Sequence, residues 1–561
     1  MKTVPAFGLF IFLVAGSSLA LRAQSPPPSS FPTPAEAITV GTVAEAEKLI
    51  GLEFTDAKRE MLLDSLKGRL TDYEANRRHD IPYGTFPAVL FNPIPLGFQF
   101  PTSSRPPQWS PLPRVKRPED LNDVAYWSVG QLAALIKTRQ VTSEELTRLF
   151  LSRLKQHGPK LECVVTLTED LALEQARRAD RELAAGKYRG PLHGIPYGAK
   201  DLLSTKGVRT TWGSVPYKDQ VLDEDATVIR RLEEAGAVLV AKTTMGELAW
   251  GETWFGGMTR NPWNVEKGSS GSSAGSAAGV AAGLLPFAIG SETHGSIVSP
   301  CATCGVTGLR PTYGRVSRAG CMSLSWTMDK LGPIARTVED CALVFNAIYG
   351  PDETDPTVYD APFNYRPKVD WKKLRVGYLK KDFEKKKNNA LDLAALAKLE
   401  SLGAKLVPIE LPTNYPPGTI SFVLSTEGAA FFDELTRSGR DDLMVRQIKN
   451  AWPNVFRARR FIPAVEYLQA QRIRALIIQD MHRLMQTVDV YVAPWDTGDN
   501  LLLTNLTGHP SVVVPNGFLD SGLPTAITFV GQLFGEADLL AVAKAYQDAT
   551  DFHRQHPPQF K

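Results

Sequence analysis

The sequence predicts an α/β fold, in which a central sheet is covered by helices. Residues 224–235 have helical periodicity and end at Gly236, and the apolar residues 237–241 that follow are typical of a buried strand. Further short runs rich in β-branched residues are predicted as strands at 375–378, 488–492 and 510–514. Because helical stretches separate these runs, the pattern favours a sheet with helices packed on its faces.

The composition is that of a large globular protein. Of 561 residues, 43% are hydrophobic and 22% are charged, which excludes a disordered chain, collagen and a coiled coil. Lys and Arg number 63 against 60 Asp and Glu, a formal net charge of +3, so we expect no nucleic-acid partner. Five cysteines in a chain of this length exclude a disulfide-stapled miniprotein.

Residues 1–23 are predicted to be a signal peptide. Lys2 precedes an apolar run over residues 6–14, and small residues follow up to Ala20. The run is shorter than the about 20 apolar residues that span a membrane, so we expect cleavage after Ala20 or Ala23 and no stable membrane insertion afterwards. An uncleaved N-terminal anchor is the alternative. The mature protein is expected to be exported, to the periplasm or the medium.

The next hundred residues are predicted to be a tether and an N-terminal extension. Residues 24–41 are rich in Pro and Ser and should be extended. Within residues 42–124, Thr42 and Glu45 form a predicted capping box for a helix that ends at Gly51, and Thr55 opens a second helix. Residues 81–117 are dense in prolines and aromatic residues, and we expect an irregular strap on the main body.

The catalytic domain is predicted to span residues 125–561. Capping boxes open two helices near its start, Ser128 with Gln131 and Thr142 with Glu145. The second helix has an apolar face, formed by Leu146, Leu149, Phe150 and Leu154. The lysine-rich residues 380–387 are expected to form a solvated surface loop.

The small-residue run at 267–283 holds the first candidate site. Its Gly, Ser and Ala residues allow close backbone packing and lead into an Ala-rich helical pattern, so a flexible linker is not expected. A phosphate-binding loop would need a Lys after the second glycine, and none follows Gly275. Residues 271–275 match the nucleophile elbow G-x-S-x-G around Ser273, but an elbow should directly follow a strand, whereas a turn-rich segment precedes this one.

Several ordered motifs resemble the amidase signature family. They are residues 191–201 (PLHGIPYGAKD), 259–264 (TRNPWN), the small-residue run, 290–315 (GSETHGSIVSPCATCGVTGLRPTYGR), 505–510 (NLTGHP) and 522–524 (GLP). The resemblance covers about residues 125–555. It implies a mixed sheet wrapped by helices and a Ser–cis-Ser–Lys triad. Matched residue by residue, the lysine is Lys200, the bridging serine is Ser272 and the nucleophile is Ser296.

The chemistry of these residue types is consistent with amide cleavage. A serine hydroxyl needs a base to attack a carbonyl, and a lysine can be that base when burial lowers its pKa. Ser272 can pass the proton between Ser296 and Lys200, and later to the leaving amine. Backbone amides of Thr293, His294, Gly295 and Ser296 are the candidate oxyanion hole. No cofactor and no metal are expected.

Each residue also has a structural interpretation. Lys200 could be a surface charge, and Ser272 could be a helix N-cap. His294 with Ser296 suggests a Ser-His pair, although residues two apart in one loop rarely orient for that. Cys301 and Cys304 form a C-x-x-C without a second pair, so a structural thiol or a disulfide is favoured over zinc binding or redox catalysis.

The chain departs from the family pattern at three positions around the nucleophile. Glu292, His294 and Val298 stand where Asp, Gly and Arg are typical, so the acid is longer and its arginine is lost. The Asp-Gly-Val-Arg-Tyr-Gly stretch typical of the glutamyl-tRNA amidotransferase A subunit is not recognisable around residues 431–440, and export would separate the protein from tRNA. We therefore expect the protein to lie outside that branch.

The sequence thus predicts an exported, cofactor-free amidohydrolase that cleaves a linear small-molecule or peptide carboxamide through an acyl-enzyme on Ser296. An esterase or aryl-acylamidase of the same fold is the nearest alternative. A catalytically silent amide-binding protein is the alternative from another class, because of the three departures. The N-terminal segment and residues 412–465 are expected to supply the pocket walls.

Overall fold

A computed structural model describes residues 38–561, except residues 80 and 388. The predicted signal peptide and residues 24–37 of the tether lie outside the described residues. The chain divides into two compact units, one ending at Arg77 and the other running from Arg78 to Lys561. The domain bounds proposed from the sequence remain a prediction.

The first unit contains two helices, α1 (Val40–Ile50) and α2 (Asp56–Arg77). Thr39, not Thr42, is the N-cap of α1, and its hydroxyl accepts the Thr42 amide at 3.2 Å. The Thr42 hydroxyl in turn accepts a hydrogen bond from the Thr39 amide at 3.3 Å, which completes a capping box. The predicted box, with Thr42 as the N-cap, was therefore wrong by three residues. Gly51 ends α1 with φ 66°, as predicted. Arg59 of α2 joins Glu47 of α1 at 2.7 Å.

The described residues of the second unit form fifteen further α-helices and fifteen strands. The helices are α3 Val129–Lys137, α4 Ser143–Leu161, α5 Glu169–Ala184, α6 Thr227–Glu234, α7 Ala274–Ala281, α8 Val298–Cys304, α9 Val338–Ile348, α10 Lys380–Lys385, α11 Ala390–Ser401, α12 Phe422–Phe431, α13 Asp433–Arg437, α14 Trp452–Arg459, α15 Ala464–Met485, α16 Asn500–Thr507 and α17 Glu536–Asp548. The strands are β1 Val164–Leu167, β2 Pro196–Lys200, β3 Val238–Thr243, β4 Thr253–Trp254, β5 Gly257–Met258, β6 Arg260–Asn261, β7 Asn264–Gly268, β8 Phe287–Glu292, β9 Thr307–Arg310, β10 Lys330–Ala335, β11 Val376–Leu379, β12 Leu406–Ile409, β13 Val490–Pro494, β14 Ser511–Phe518 and β15 Pro524–Gly531.

Eleven of these strands form one sheet in the order β1-β3-β2-β8-β10-β9-β14-β15-β13-β11-β12. The sheet is mixed: β2 runs parallel to β3 and β8, and β11 runs parallel to β12 and β13. The neighbours from β8 through β13 pair antiparallel. The α/β fold with a central mixed sheet, predicted from the sequence, is confirmed.

Most of the sequence-predicted elements occur within a few residues of their expected bounds. The capping boxes at Ser128 and Thr142 both form, and the predicted apolar face of α4 is buried except at the half-buried Leu149. The lysine-rich residues 380–387 are not simply a loop, because Lys380–Lys385 is helical. The buried Phe383 anchors this helix, which explains why a charged run takes regular structure.

The proline-rich strap, residues 81–117, belongs to the second unit and contains neither helix nor strand within its described residues. Its amides pair with distant residues: Gln108 donates to the Tyr365 carbonyl at 2.9 Å, and Ser110 donates to Glu339 Oε1 at 2.7 Å. Aromatic side chains add contacts, such as Phe100 on Phe534 with ring centroids 5.0 Å apart. The strap therefore lies on the sheet-containing body, as expected.

Among the residues that the structure describes, none of the helices combines the length and apolar character that crossing a membrane requires.

Candidate active site

Two neighbouring parallel strands bring the predicted catalytic segments to one edge of the sheet. β2 ends at Lys200, and β8 ends at Glu292. Their register pairs Gly198 with Ala288 and Ala199 with Ile289. Because both strands run in the same direction, the lysine and the loop after β8 emerge side by side.

Lys200 is buried among serine oxygens. Its Nζ donates to Ser272 Oγ at 2.8 Å, to Ser291 Oγ at 2.9 Å and to Ser273 Oγ at 3.0 Å. Burial lowers the pKa of Lys200 to about 7, although the carboxylates of Asp329 and Glu292 act to raise it. A substantial fraction of Lys200 is therefore a neutral amine near neutral pH, as a general base requires.

Ser272 lies in the loop between β7 and α7, and the Gly271–Ser272 peptide bond is cis. The backbone around it packs closely on its neighbours: a Cβ added to Gly271 would lie 1.8 Å from the Gly251 carbonyl oxygen. A Cβ on Gly275 would similarly lie 2.3 Å from the Cys163 carbonyl oxygen. The small-residue run is thus a closely packed segment and not a linker, as the sequence predicted.

Sequence reasoning missed two hydroxyls that contact the lysine, those of Ser273 and Ser291. Ser273 Oγ also donates to the Ser291 carbonyl and accepts the Ser291 amide, both at 3.1 Å. With the Lys200 bond, the Ser273 hydroxyl is fully engaged and buried, which argues against Ser273 as an elbow nucleophile. The sequence suggested Ser273 only as an elbow nucleophile and suggested no role for Ser291, because only the folded chain brings both hydroxyls to Lys200.

Ser296 lies in the loop between β8 and α8, with 7% of its surface exposed. Its carbonyl accepts the Ser273 amide at 3.1 Å, so the Ser296 loop and the Ser272 loop are joined through the backbone. Between residues 38 and 561, no hydrogen bond joins the hydroxyls of Ser272 and Ser296. The structure therefore brings Lys200 and Ser272 into hydrogen-bond contact and joins the Ser296 backbone to Ser273, the neighbour of Ser272.

The predicted oxyanion residues form a tight turn. Gly295 has φ 85°, a conformation that favours glycine, and its carbonyl accepts the Ser299 amide at 2.8 Å. Thr293 is fixed by its hydroxyl, which donates to Asp329 Oδ1 at 2.6 Å. The His294 side chain is exposed. In the described part of the chain, the amides of His294, Gly295 and Ser296 have no hydrogen-bond acceptor, so they can donate to a ligand oxygen.

The Glu292 carboxylate accepts hydrogen bonds from the backbone that follows this turn. Its Oε2 accepts the amides of Ile297 at 2.8 Å and Val298 at 2.9 Å. Its Oε1 accepts a hydrogen bond from Arg310 Nη1 at 2.8 Å, and both side chains are buried. Burial alone would raise the pKa of Glu292, but Arg310 and Lys330 lower that pKa to about 2, so the carboxylate stays charged.

Val298 does stand where the family's arginine is typical, but Arg310 gives Glu292 a cationic partner from elsewhere in the chain. Arg310 ends β9 and reaches Glu292 across the intervening strand β10. Asn505 adds a further link, because its amide donates to Glu292 Oε1 at 2.8 Å while its oxygen accepts from Lys330 at 2.7 Å. Glu292 and a cation from another strand are therefore combined in one buried network beside the loop that carries Ser296.

The cysteines of the C-x-x-C are free. Cys301 and Cys304 are both buried on α8, and burial raises the pKa of each thiol. A structural role is favoured over the disulfide alternative. Over the residues that the structure describes, no group of three or more His, Cys, Asp and Glu side chains is arranged to hold a metal ion.

The mixed sheet and the buried lysine held by serine hydroxyls are consistent with an enzyme that cleaves amide C–N bonds, and the family match assigns the chain to that class. The chain belongs to the amidase signature family: the family model described as Amidase matches residues 145–540.

Several known proteins are similar to this chain. The A subunit of glutamyl-tRNA(Gln) amidotransferase from Methylococcus capsulatus is 37% identical over 478 residues, covering 77% of this chain and 98% of that protein. The native peptide amidase from Stenotrophomonas maltophilia is 31% identical with a TM-score of 0.68, covering 78% of this chain and 99% of that one. An amidase family protein from Bacillus anthracis is 29% identical with a TM-score of 0.69, covering 78% and 93%.

Proposed function

We propose that the protein is an exported amidohydrolase in which Ser296 is the nucleophile, Ser272 the relay and Lys200 the base. The supporting observation is the buried Lys200 Nζ at 2.8 Å from Ser272 Oγ, with a pKa lowered by burial to about 7. The wider family supports hydrolysis of a carboxamide to a carboxylate and ammonia or an amine.

In the proposed reaction, Ser296 Oγ attacks the amide carbonyl carbon and forms the C–O bond. The Ser296 proton passes to Ser272, whose own proton passes to the neutral Lys200 amine. The carbonyl oxygen becomes negative and accepts hydrogen bonds from the amides of the 293–296 turn. Proton return through Ser272 to the leaving nitrogen breaks the C–N bond, and water then cleaves the acyl-enzyme by the same relay.

The test is to remove each group separately. Ser296→Ala should abolish amide turnover and labelling by a fluorophosphonate, while the matched control Ser299→Ala keeps both. Ser272→Ala and Lys200→Ala should slow both reactions by about 10²–10⁴-fold, and prolonged labelling should still modify Ser296. Because the two residues act as one unit, the double variant should be little slower than either single variant. A label mapped to Ser273 would contradict the assignment.

Export is proposed from the sequence of residues 1–23. Protein recovered from the periplasm or the medium should lack the first 20 or 23 residues in an intact-mass measurement. As a control, Leu13→Arg breaks the apolar run, so this variant should stay in the cytoplasm with its N-terminus intact. Exported wild-type protein that retains Met1 would contradict cleavage.

A second candidate function is amide transfer, because the relative from Methylococcus capsulatus is 37% identical along 98% of its length. Transfer and hydrolysis share the acyl-enzyme and differ in where the released ammonia goes. Release of free ammonia from simple amides by the isolated protein favours hydrolysis. Glutamine cleavage that occurs only when a glutamyl-tRNA is added would favour transfer.

A further inference from the structure

One carboxylate at this edge of the sheet, that of Asp329, is not used by the proposed reaction. Asp329 is buried and directly precedes β10, the strand that pairs antiparallel with β8. The register pairs Lys330 with Glu292, so the start of β10 lies beside the end of β8. Asp329 therefore lies next to the loop that carries Ser296, although it is distant from that loop along the chain.

The Asp329 carboxylate joins two loops. Its Oδ1 accepts the Thr293 hydroxyl at 2.6 Å, and its Oδ2 accepts the amides of Leu324 at 2.8 Å and Ser325 at 2.9 Å. Both oxygens accept hydrogen bonds, as the oxygens of an ionised carboxylate do. Because Thr293 opens the proposed oxyanion turn, Asp329 connects this turn to the loop between β9 and β10.

Among the residues that the structure describes, no cation forms an ion pair with the Asp329 carboxylate. Its charge acts on two basic side chains, Arg318 and Lys330, but each of these has another direct partner. Arg318 pairs with Asp355 at 3.0 Å, and the Lys330 amine donates to Asn505 Oδ1 at 2.7 Å. The negative charge of Asp329 is therefore not cancelled by a direct contact.

The charge of Asp329 also acts on Lys200. Burial lowers the pKa of Lys200, and of the two carboxylates that oppose this effect, Asp329 acts more strongly than Glu292. Asp329 and Ser291, whose hydroxyl contacts Lys200, line one cavity of about 10 Å³, room for about one water molecule. Cys321 lines the same cavity, and burial raises the pKa of its thiol well above the ordinary value, so it adds no charge near neutral pH.

We propose that Asp329 is a positioning residue with two separable roles in the proposed reaction. Its hydrogen bond to Thr293 fixes the turn whose amides bind the oxyanion. Its charge stabilises the ammonium group that Lys200 becomes on accepting the relayed proton. Asp329 itself neither gives nor takes a proton. This inference rests on the proposed function, because it assumes that Lys200 is the base and that the turn is the oxyanion hole.

Asp329→Asn tests the charge, because the amide has nearly the same shape and keeps an oxygen for the Thr293 hydroxyl. Lys200 should become a weaker base, so the rising limb of kcat/KM should move to lower pH by about 0.5–1 unit, less than the about 1–3 units of a direct contact. The plateau of kcat should fall by about tenfold with KM little changed, because the ammonium forms only during the reaction. The pH profile of amide hydrolysis measures both effects.

Thr293→Val tests the hydrogen bond and leaves the charge in place. The turn loses its link to Asp329, so kcat should fall by about tenfold, while the rising limb stays at the pH of wild type. Thr293→Ser keeps a hydroxyl and should restore kcat. A kcat in Thr293→Val equal to that of wild type would overturn the role in the turn.

Glu427→Gln is the matched control for the loop between β9 and β10. The Glu427 carboxylate holds the same loop, because its Oε2 accepts the Ser325 hydroxyl at 2.7 Å and the Thr327 amide at 3.0 Å. This variant should lower the melting temperature, as Asp329→Asn does, and leave kcat and the rising limb unchanged. An equal shift of the limb in Glu427→Gln would overturn the charge role and assign Asp329 to packing of the loop.

Carbon-13 NMR of the lysine side chains separates this inference from the proposed chemistry. In a Ser296→Ala background, the Lys200 signal, identified by its absence in Lys200→Ala, should titrate at lower pH when Asp329→Asn is added. An unmoved titration would overturn the charge role, whichever serine is the nucleophile. A titration that moves while the limb of hydrolysis does not would support the link between Asp329 and Lys200 and contradict Lys200 as the base.

Discussion

Lys200 is a titratable residue whose charge state depends on the fold. Burial lowers the pKa of its amine to about 7, and only the neutral amine can accept a proton. We therefore expect kcat/KM for a simple amide to rise with pH through about 7 and then level off, and fluorophosphonate labelling of Ser296 to follow the same limb. A rising limb near the ordinary lysine pKa would contradict the role of Lys200.

The Ser291 hydroxyl should affect the pH at which kcat/KM and labelling rise. Ser291 Oγ accepts a hydrogen bond from Lys200 at 2.9 Å, which stabilises the charged ammonium form. Removing that acceptor with Ser291→Ala lowers the pKa of Lys200 further, so the rising limb should move to lower pH. The pH profile of labelling measures this directly. A shift to higher pH would show that Ser291 donates to the neutral amine instead.

Gly271 is a residue that the site cannot replace. Its added Cβ would lie 1.8 Å from the Gly251 carbonyl oxygen, and backbone cannot move aside as a side chain does. Gly271→Ala should lower the free energy of unfolding by about 1–3 kcal/mol and displace Ser272, so labelling falls as well. Gly418→Ala, where a Cβ meets nothing within 4 Å, is the matched control for thermal unfolding and labelling.

Residue identity alone explains part of this site. The motifs predicted Lys200, Ser272 and Ser296, because each lies in a distinctive stretch of sequence. Arg310 was missed as the partner of Glu292, since 18 residues separate them and only the pairing of β8, β10 and β9 brings them together. Ser291 was missed for the same reason. Contacts that depend on which strands pair in the sheet could not be predicted from the order of residues along the chain.

At the scale of an element, Glu292 connects the start of α8 and the Ser296 turn to Arg310 of β9. Removing one partner leaves a buried charge without its counterion, so Glu292→Gln or Arg310→Met should each cost about 3–5 kcal/mol in the free energy of unfolding. The double variant should cost less than the sum, because neither charge remains. Urea unfolding of the four proteins measures this coupling. Additive losses would show that the pair does not interact.

The Glu292–Arg310 pair should also make the stability of the folded protein depend on pH in the acid range. The pKa of Glu292 in the folded state is lowered to about 2 from an ordinary value of 4.5. Its stabilising contribution is therefore complete above about pH 4.5 and is lost as the pH falls towards about 2. We expect wild type to lose stability over this range and Glu292→Gln to lose less. Circular dichroism against pH, at fixed urea concentration, compares the two proteins.

Element bounds show which local signals are sufficient. The boxes at Ser128 and Thr142 were placed correctly, because a Ser or Thr is followed three residues later by Gln or Glu. The Thr39 cap was missed because its partner is another Thr, outside that pattern. The helix Lys380–Lys385 was missed because one buried aromatic, Phe383, outweighs the lysines around it.

For the whole molecule, the five cysteines are predicted to behave as free thiols. All five are unpaired, and four of them are buried, while Cys321 is half-buried. Burial raises the pKa of Cys321 and the other thiols, so the native protein should react slowly with a thiol reagent, Cys321 first. Titration in denaturant should count five thiols, and a reductant should leave the melting temperature unchanged. A count of three would indicate a disulfide.

The adjacency of β2 and β8 has a consequence for how activity appears during refolding. About ninety positions of chain separate Lys200 from the loop after β8, so the site cannot exist until this distant parallel pair has closed. A helix such as α4 can form from local contacts much earlier. Labelling of Ser296 during refolding would therefore report when β2 and β8 have paired. It should lag behind the recovery of the circular dichroism signal of the helices, because the long intervening segment must first fold.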